Sequence, residues 1–284
     1  MTSAELDWAT RRPHPALRAL VNRYIGYRQD GVLLEVHRGL PGQHVTLIVS
    51  LAAPVRLLGI SGSEQGPARA RGFVGGLHTA PALIAQDRAQ AGVQVEINPL
   101  GVRTLLGLPA AELAGRVVDL ADLPGSGLAE LPDQLAEAAS WKRRFEILDQ
   151  VLLARATTPP GGAREPPDEV RWAWRRMVRA GGATPVGQLA AEVGWSRRHF
   201  AERFSREIGL PPKQAARVVR FGRAAALLRR LPPGGLAEVA QLCGYFDQAH
   251  LTNEWRALAG CPPRVWIREE LPFLQDTEVF AEPG

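Results

Sequence analysis

The sequence predicts an α+β protein, in which a mainly antiparallel β domain that also carries helices precedes an all-α domain of two helix-turn-helix motifs joined by a long helix. Three observations predict this class. Short β-branched runs separated by Gly, Pro and Ser fill residues 32–100, which is typical of antiparallel strands. Apolar residues recur at helical spacing in residues 109–156 and again from residue 168 onward. Within the second helical region, one stretch of sequence occurs twice.

The β region contains five runs bounded by turn residues: GVLLEV, HVTLIVSL, PVRLLGI, GFVGGL and GVQVEI. Two helices are predicted after it, with these apolar residues three or four apart: Leu128, Leu131, Leu135 and Ala138, then Phe145, Leu148, Val151 and Leu152. The segment TTPPGGAREPP is rich in proline and glycine, which indicates a linker. We therefore divide the chain into an N-terminal domain (1–156), a linker (157–167), a helical domain (168–270) and a tail (271–284).

The composition is that of a soluble globular protein. The chain has 284 residues, enough for about two domains. No apolar run reaches the roughly 18 residues that span a bilayer, and the N-terminal segment lacks the basic-then-apolar order of a signal peptide. Cys243 and Cys261 are too few for a disulfide framework or a zinc site. We therefore expect a cytoplasmic protein, without membrane association, whose cysteines are reduced and buried.

Positive charge is concentrated in the helical domain. Residues 168–270 contain 17 Lys and Arg against 10 Asp and Glu, an excess of seven positive charges. The rest of the chain contains 17 basic and 19 acidic residues, an excess of two negative charges. A polyanion is therefore expected to contact the helical domain rather than the N-terminal domain.

The duplicated stretch runs from Gly194 to Pro212 and again from Gly244 to Pro263. Each copy has a glycine that can end a helix in the left-handed conformation, and an aromatic residue follows that glycine. Ser196 or Asp247 can then cap a second helix. The second helices place these apolar residues on one buried face: Phe200, Phe204 and Ile208, then Leu251, Trp255 and Leu258. This order of elements predicts two helix-turn-helix motifs, which can each place a helix in a major groove.

The segment between the copies, Lys213–Arg230, has the pattern of one helix. At 1.5 Å per residue it is about 27 Å long. One turn of DNA is roughly 34 Å, so two motifs at the ends of this helix could enter successive major grooves on one face of a duplex. A single chain would then contact two neighbouring parts of its site.

The two copies resemble the DNA-binding domain of the AraC/XylS family of bacterial transcription regulators. The resemblance covers about 100 residues, from near Val170 to Arg268, and both halves occur in the family's order and spacing. The matching segments are SRRHF (196–200), GLPP (209–212), LAEVA (236–240), GY (244–245), DQAHL (247–251) and GCPP (260–263). The resemblance implies a sequence-specific DNA-binding regulator of transcription.

The resemblance also implies which residues contact DNA. In the first motif the groove-facing residues are Arg197, Arg198, Ala201, Glu202 and Ser205, and Arg206 is expected to contact phosphates or to lie on the solvent-facing surface. In the second motif they are Gln248, Ala249, Thr252 and Asn253, with Arg256 nearer the phosphates. Arginine can recognise guanine, Gln and Asn can recognise adenine, and Ala or Thr methyl groups can contact a thymine methyl. Glu202 departs from the family, which often has arginine there, and either accepts from cytosine or faces solvent.

Other polar residues are assigned mainly structural roles. Asp247 is expected to cap its helix, and His199 and His250 are expected to pack at the turns. Arg203 is expected to contact phosphates or solvent. Arg217, Arg220 and Arg223 on the connecting helix form either a solvated face or a set of phosphate contacts, which give affinity without sequence information.

The resemblance implies that residues 1–156 bind a small effector, dimerise, or do both. The segments LPGQHVTLIVSL and GVQVEINPLGVRTLLGLPAAELAGRVVDLADL resemble the N-terminal regions of poorly characterised family members. Other branches have a cupin-like β-barrel followed by dimerising helices, and the strand-then-helix order fits that plan. Two functions stay open: a regulator controlled by an effector, and a constitutive DNA-binding regulator whose N-terminal domain only dimerises or binds a protein partner. The following residues are candidate walls of an effector pocket: Leu47, Val49, Leu58, Val74 and Val95.

The sequence predicts no enzymatic activity. Residues 1–242 contain no cysteine, which excludes the cysteine-dependent methyl transfer of DNA-repair regulators that share these motifs. No phosphate-binding G-x-x-x-x-G-K-[ST] loop occurs. Glu35, His37, His44 and His78 do not match the His-x-His and Glu pattern of metal-binding cupins, so we expect no metal and no cofactor.

The expected partners are double-stranded DNA, a small-molecule effector of unidentified class and a second copy in a homodimer. RNA polymerase is a further candidate partner.

Overall fold

A computed structural model describes residues 6–31, 34–125, 127–230 and 235–270, and within them ten β-strands form two sheets. The strands are β1 Leu6–Arg11, β2 Val21–Asp30, β3 Val36–Gly39, β4 Val45–Ser50, β5 Val55–Ile60, β6 Ala68–Ala70, β7 Gly72–Gly75, β8 Ala82–Ala85, β9 Ala89–Ile97 and β10 Val117–Asp119. One sheet has the order β1-β2-β9-β4-β7-β10 and the other the order β3-β8-β5-β6. Neighbouring strands are antiparallel throughout.

The predicted antiparallel β class is confirmed, but the strand region is longer than predicted. β1 and β2 precede residue 32, and β10 follows residue 100. β2 carries aromatic and polar residues rather than a β-branched run. It pairs with β9 in the sheet, with Tyr24 opposite Val95. The predicted run GVLLEV includes residues 32 and 33, which lie outside the described residues, and β3 begins at its last residue, Val36.

Ten α-helices are found in the described residues, most of them in the C-terminal half of the chain. They are α1 Pro99–Leu106, α2 Leu131–Glu137, α3 Trp141–Thr157, α4 Asp168–Arg179, α5 Val186–Glu192, α6 Arg197–Ile208, α7 Pro212–Arg230, α8 Leu236–Leu242, α9 Gln248–Ala259 and α10 Pro263–Glu269. The two helices predicted from the spacing of leucines correspond to α2 and α3. The prediction missed α1, which the side chain of Asn98 caps and Gly107 ends with a φ of 80°.

One hydrophobic core runs through both halves of the chain. In the N-terminal half it is built on β4 and β9, whose side chains at Leu47 and Val95 are fully buried. Leu105 of α1 continues the core to Phe204 of α6. The four-stranded sheet has a smaller cluster of its own around Leu57, Ile60 and Ala82. The helical region is therefore packed on the β region and does not hang from a free linker.

Two findings bear on the class of protein. No helix in the described part of the chain is both long and apolar enough to cross a membrane. Cys243 and Cys261 are free and buried, as predicted. Burial raises the pKa of both thiols above the ordinary value for cysteine, which disfavours the reactive thiolate form.

Candidate nucleic-acid interface

The duplicated sequence forms two helix-turn-helix motifs. The first motif consists of α5, the turn at residues 193–196 and α6, and the second consists of α8, the turn at residues 243–247 and α9. Gly194 and Gly244 have φ values of 71° and 72°, in the left-handed region that favours glycine. No atom lies within 4 Å of a Cβ placed at either glycine. Backbone conformation rather than space therefore requires glycine at both turns.

The two recognition helices, α6 and α9, are capped as predicted. The Ser196 side chain accepts a hydrogen bond from the backbone N–H of His199 at 3.3 Å. The Asp247 carboxylate accepts one from the backbone N–H of His250 at 2.7 Å. These contacts satisfy backbone donors that the first helical turn leaves unpaired. The interpretation of Asp247 as a helix cap is confirmed.

The two histidines pack against the turns, which also confirms the prediction. The His199 ring lies edge-on to Trp195 with 4.7 Å between ring centroids. The His250 ring lies edge-on to Tyr245 with 5.3 Å between centroids. In addition, His250 Nδ1 accepts a hydrogen bond from the backbone N–H of Phe246 at 3.2 Å. Each imidazole therefore joins the start of a recognition helix to the turn before it.

Each recognition helix has one buried and one exposed face. The buried faces carry the six apolar residues expected from the sequence, all at most 1% exposed. The predicted DNA-contacting residues lie on the opposite faces. Arg197, Arg198, Glu202, Arg206, Gln248, Ala249, Asn253 and Arg256 are exposed, and Ala201, Ser205 and Thr252 are partly exposed. The structure thus gathers the predicted residues into two exposed surfaces, one on each motif.

Several of these side chains also have contacts within the protein, among them Ser205, whose hydroxyl donates to the Ala201 carbonyl at 2.6 Å. The Arg197 guanidinium lies over α5, since a Cβ placed at Gly187 would be 2.9 Å from one of its nitrogens. Arg256 donates a long hydrogen bond of 3.4 Å to Asn253 on the same exposed surface. Arg198, by contrast, is exposed on the first turn of α6, so it is the clearest candidate for a base contact in the first motif.

The connecting helix α7 holds the two motifs together. It has 19 residues, hence a length of about 28 Å. Arg217 donates to the buried Glu254 of α9 at 2.7 Å, and the Arg220 guanidinium lies 5.5 Å from the centre of the Tyr245 ring. The connecting helix therefore uses both arginines to brace the second motif. Arg223 lies beside Gly181, which follows α4.

The N-terminal domain contacts the helical domain through two buried carboxylates. Glu207, near the end of α6, accepts two hydrogen bonds from Arg103 of α1, at 2.9 and 2.7 Å. Glu270, after α10, contacts His37 Nδ1 at 2.7 Å and accepts from the backbone N–H of Arg38 at 2.9 Å. Burial opposes ionisation of Glu270, but His37 and Arg38 together lower its pKa below the ordinary value.

Within the N-terminal domain, a buried cluster of charges is centred on Glu96 of β9. Arg23 donates to both oxygens of this carboxylate at 2.9 and 2.8 Å, and His44 lies 3.6 Å away. Burial alone would raise the pKa of Glu96, but Arg23, His44 and Asn22 lower it overall. Burial, together with the charge of Arg23, lowers the pKa of Arg229 on α7 to about 10, although Glu96 raises it. The electrostatic coupling thus reaches from the sheet to the connecting helix.

The candidate ligand residues of the N-terminal domain have other surroundings. Leu47, Val49, Val74 and Val95 are fully buried in the main core, whereas Leu58 is 44% exposed on β5. These five residues do not share one environment, so the prediction that they line a common pocket is wrong for Leu58. In the described ranges, no group of three His, Cys, Asp or Glu side chains is placed to hold a metal ion.

Comparisons with known proteins agree with this architecture. Residues 189–269 match the family model of a helix-turn-helix domain of the AraC type. No curated protein matches the chain. Among solved structures, the fold resembles ToxT from Vibrio cholerae O395, with 9% identity, a TM-score of 0.50, and coverage of 92% of this chain and 97% of ToxT.

Two further ToxT structures have the same fold. The P21 crystal form of Vibrio cholerae ToxT has 8% identity and a TM-score of 0.51, with coverage of 94% of this chain and 99% of that one. A lysine-to-alanine variant of apo ToxT from strain SCE256 has 8% identity and a TM-score of 0.53, with coverage of 91% and 99%. Identities this low show the fold alone.

The two motifs and the match define the class: the chain carries an AraC-type helix-turn-helix domain, the DNA-binding domain of a class of transcription regulators. Its whole fold, an N-terminal β domain followed by that helical domain, resembles the fold of ToxT. The family model and the fold thus agree on a helix-turn-helix domain that follows an N-terminal β domain.

Proposed function

We propose that this protein is a sequence-specific DNA-binding transcription regulator that places α6 and α9 in two successive major grooves. The observation that carries the proposal is the pair of capped helices with exposed polar faces, which α7 joins in the chain. The length of α7, about 28 Å, is close to one DNA turn of roughly 34 Å. The positive excess of residues 168–270 fits a polyanionic partner.

The proposed base contacts differ between the motifs. Arg198, with Glu202 one turn later, recognises bases in the first groove, and Arg206 contacts phosphate. Asn253 and Gln248 recognise adenine in the second groove, where Ala249 and Thr252 present methyl groups. Arg197 and Ala201 complete the first contact surface, and Arg256 contacts phosphate at the second. Each motif then recognises a different short sequence, and their combination sets the operator.

We further propose that residues 1–156 form a domain that binds a small-molecule effector, with 157–167 as the linker and 168–270 as the DNA-binding domain. The contacts of Glu207 and Glu270 with the N-terminal domain offer a route by which a bound ligand changes the motifs. The alternative is a constitutive regulator whose N-terminal domain dimerises or binds a partner protein.

DNA recognition is tested with the full chain and a duplex obtained by selection from random sequence. Arg198→Ala and Asn253→Ala should each weaken binding by about 1–3 kcal/mol. Each should relax sequence preference at a different set of base pairs, roughly one DNA turn apart. Arg143→Ala, an exposed substitution on α3 in the N-terminal domain, is the control and should keep affinity and preference. Loss of preference at the same base pairs in both variants would contradict the two-groove arrangement.

The role of the N-terminal domain is tested by thermal denaturation against a panel of metabolites. A specific effector should raise the melting temperature and change the affinity for the selected duplex. A ligand-independent regulator should show neither effect, and sedimentation analysis would then reveal whether the domain dimerises. Finding the bound sites in the native genome would narrow the panel to compounds handled by neighbouring genes.

A further inference from the structure

Phe246 is the most exposed large apolar side chain in the described residues. Its exposed fraction is 92%, whereas the next, Leu242, is 46% exposed. Phe246 is also the residue by which the second turn is longer than the first. Trp195 is followed directly by the capping residue of α6, but Phe246 separates Tyr245 from the capping residue of α9. The second motif therefore carries an extra aromatic ring at the start of its recognition helix.

The backbone at Phe246 is held in place although its ring is exposed. Its N–H donates to His250 Nδ1, and the His250 ring packs on the buried Tyr245. A residue just before a helix cap often packs on the fourth residue of the helix. That residue here is Leu251, which is fully buried. Because the Phe246 ring is almost fully exposed, it does not pack on Leu251. Tyr245 fills the inner position, and the Phe246 ring points away from the core.

The position of the ring indicates which molecule it contacts. The N-terminal residues of a recognition helix lie nearest the base edges in helix-turn-helix complexes. Phe246 adjoins this end of α9, next to the exposed Gln248 and Ala249. A phenyl ring offers no hydrogen bond to a phosphate. The apolar group that the major groove presents is the 5-methyl of thymine, and phenylalanine is one of the side chains that contact it.

We propose that Phe246 is a specificity-determining residue that recognises a thymine through its 5-methyl group at one edge of the second motif's half-site. This inference rests on the proposed function, because it assumes that α9 enters the major groove. It adds a thymine contact at the edge of the half-site to the methyl groups that Ala249 and Thr252 present within it, whereas Gln248 and Asn253 recognise hydrogen-bonding edges.

The test uses the full chain and the selected duplex, with each thymine replaced in turn by deoxyuridine, which lacks only the methyl group. Wild-type protein should lose about fourfold in affinity at one or two adjacent positions, the factor expected from one buried methyl group. Phe246→Ala should bind the thymine duplex as weakly as wild type binds the deoxyuridine duplex, and should respond little to the replacement. Phe246→Leu should keep part of the response.

Two controls separate this effect from others. Leu58→Ala removes another exposed apolar side chain, on β5 of the N-terminal domain, and should leave the deoxyuridine profile of wild type unchanged. The melting temperature of Phe246→Ala should equal that of wild type, because the ring is exposed in the free protein.

The outcomes distinguish this inference from the proposed function. Wild-type protein that selects no sequence would overturn both. Wild-type protein that selects a site, with a Phe246→Ala variant that keeps the full deoxyuridine response, would overturn only the thymine contact. A Phe246→Ala variant could also bind DNA like wild type but fail to control transcription. This result would assign the ring to a protein partner and would refute the thymine contact.

Discussion

The ion pair between Arg103 and Glu207 is expected to fasten the first motif to the N-terminal domain. Arg103 lies on α1 and Glu207 on the last turn of the recognition helix α6, and two hydrogen bonds join them. The side chains are 19% and 6% exposed, so solvent screens the pair weakly. We consider Arg103→Met, Glu207→Met and the double variant, which keep the volume of the side chains but remove one or both charges.

The burial of Glu207 determines how much each substitution should lower the free energy of unfolding. Arg103→Met leaves the Glu207 carboxylate buried without its cation, which costs about 3–5 kcal/mol in the free energy of unfolding. Glu207→Met leaves the more exposed Arg103 and should cost less. Because replacement of a whole buried pair by apolar residues is often close to neutral, the double variant should lie within about 1 kcal/mol of wild type. The second substitution should therefore rescue much of the loss caused by Arg103→Met.

Urea denaturation of the full chain, followed by tryptophan fluorescence, measures these differences. The ring centroids of Trp174 on α4 and Phe204 on α6 are 6.3 Å apart. Trp174 therefore adds a signal from the first motif to the total emission of the seven tryptophans. Arg143→Met is the control, since its pair with Glu146 is exposed and should contribute at most about 1 kcal/mol. If Arg103→Met costs as much stability in the Glu207→Met variant as in wild type, the two residues are not coupled and the reasoning fails.

Three further predictions concern the turns and the sheet. Gly194→Ala should lower the free energy of unfolding by about 1–2 kcal/mol because its φ is positive; Gly42→Ala, in open space without a positive φ, is the matched control for this denaturation measurement. Asp247→Ala should cost about 1 kcal/mol by removing the cap of α9, and Asp247→Ser should restore most of it; equal losses would argue against capping. The folded state lowers the pKa of Glu96, so its ionised form stabilises the fold above the ordinary carboxyl pKa, and this contribution is lost as pH falls through the lowered value. The stability difference between wild type and Glu96→Gln should thus be full at pH 7 and shrink below about pH 4; a difference that is independent of pH would contradict this.

The elements of the two motifs could be predicted from sequence because their signals are local. A glycine, an aromatic residue, a capping side chain and an apolar face occur within about one turn and one helix of each other. Gly194 and Ser196 specify the first turn on these grounds, and Gly244 and Asp247 specify the second. Because the same local signals occur twice in the sequence, each copy strengthens the prediction of the other. No contact from elsewhere in the chain is needed to form these features.

The contacts between the domains could not be predicted, because their partners are far apart in sequence. Glu207 lies 104 residues from Arg103, and Glu270 lies 233 residues from His37. A single glutamate on a helix gives no local sign that it will be buried against another domain. The same limit explains Arg217, for which the sequence left solvent and phosphate open and which pairs with Glu254. It also explains Leu58, whose exposure depends on how the two sheets pack.

The placement of these contacts limits how the N-terminal domain can influence DNA binding. It holds the helical domain at the C-terminal end of α6, through Glu207, and after α10, through Glu270, while the N-terminal ends of α6 and α9 stay exposed. The domain therefore fixes the orientation of the motifs without covering the surfaces that we expect to meet DNA. α1 contacts α6 through Glu207, and β3 contacts the segment after α10 through Glu270. A ligand that changes the position of α1 relative to β3 would therefore change the angle between α6 and α9. Because both helices must enter grooves about one turn apart, such a rotation would weaken binding to the complete site more than binding to either half.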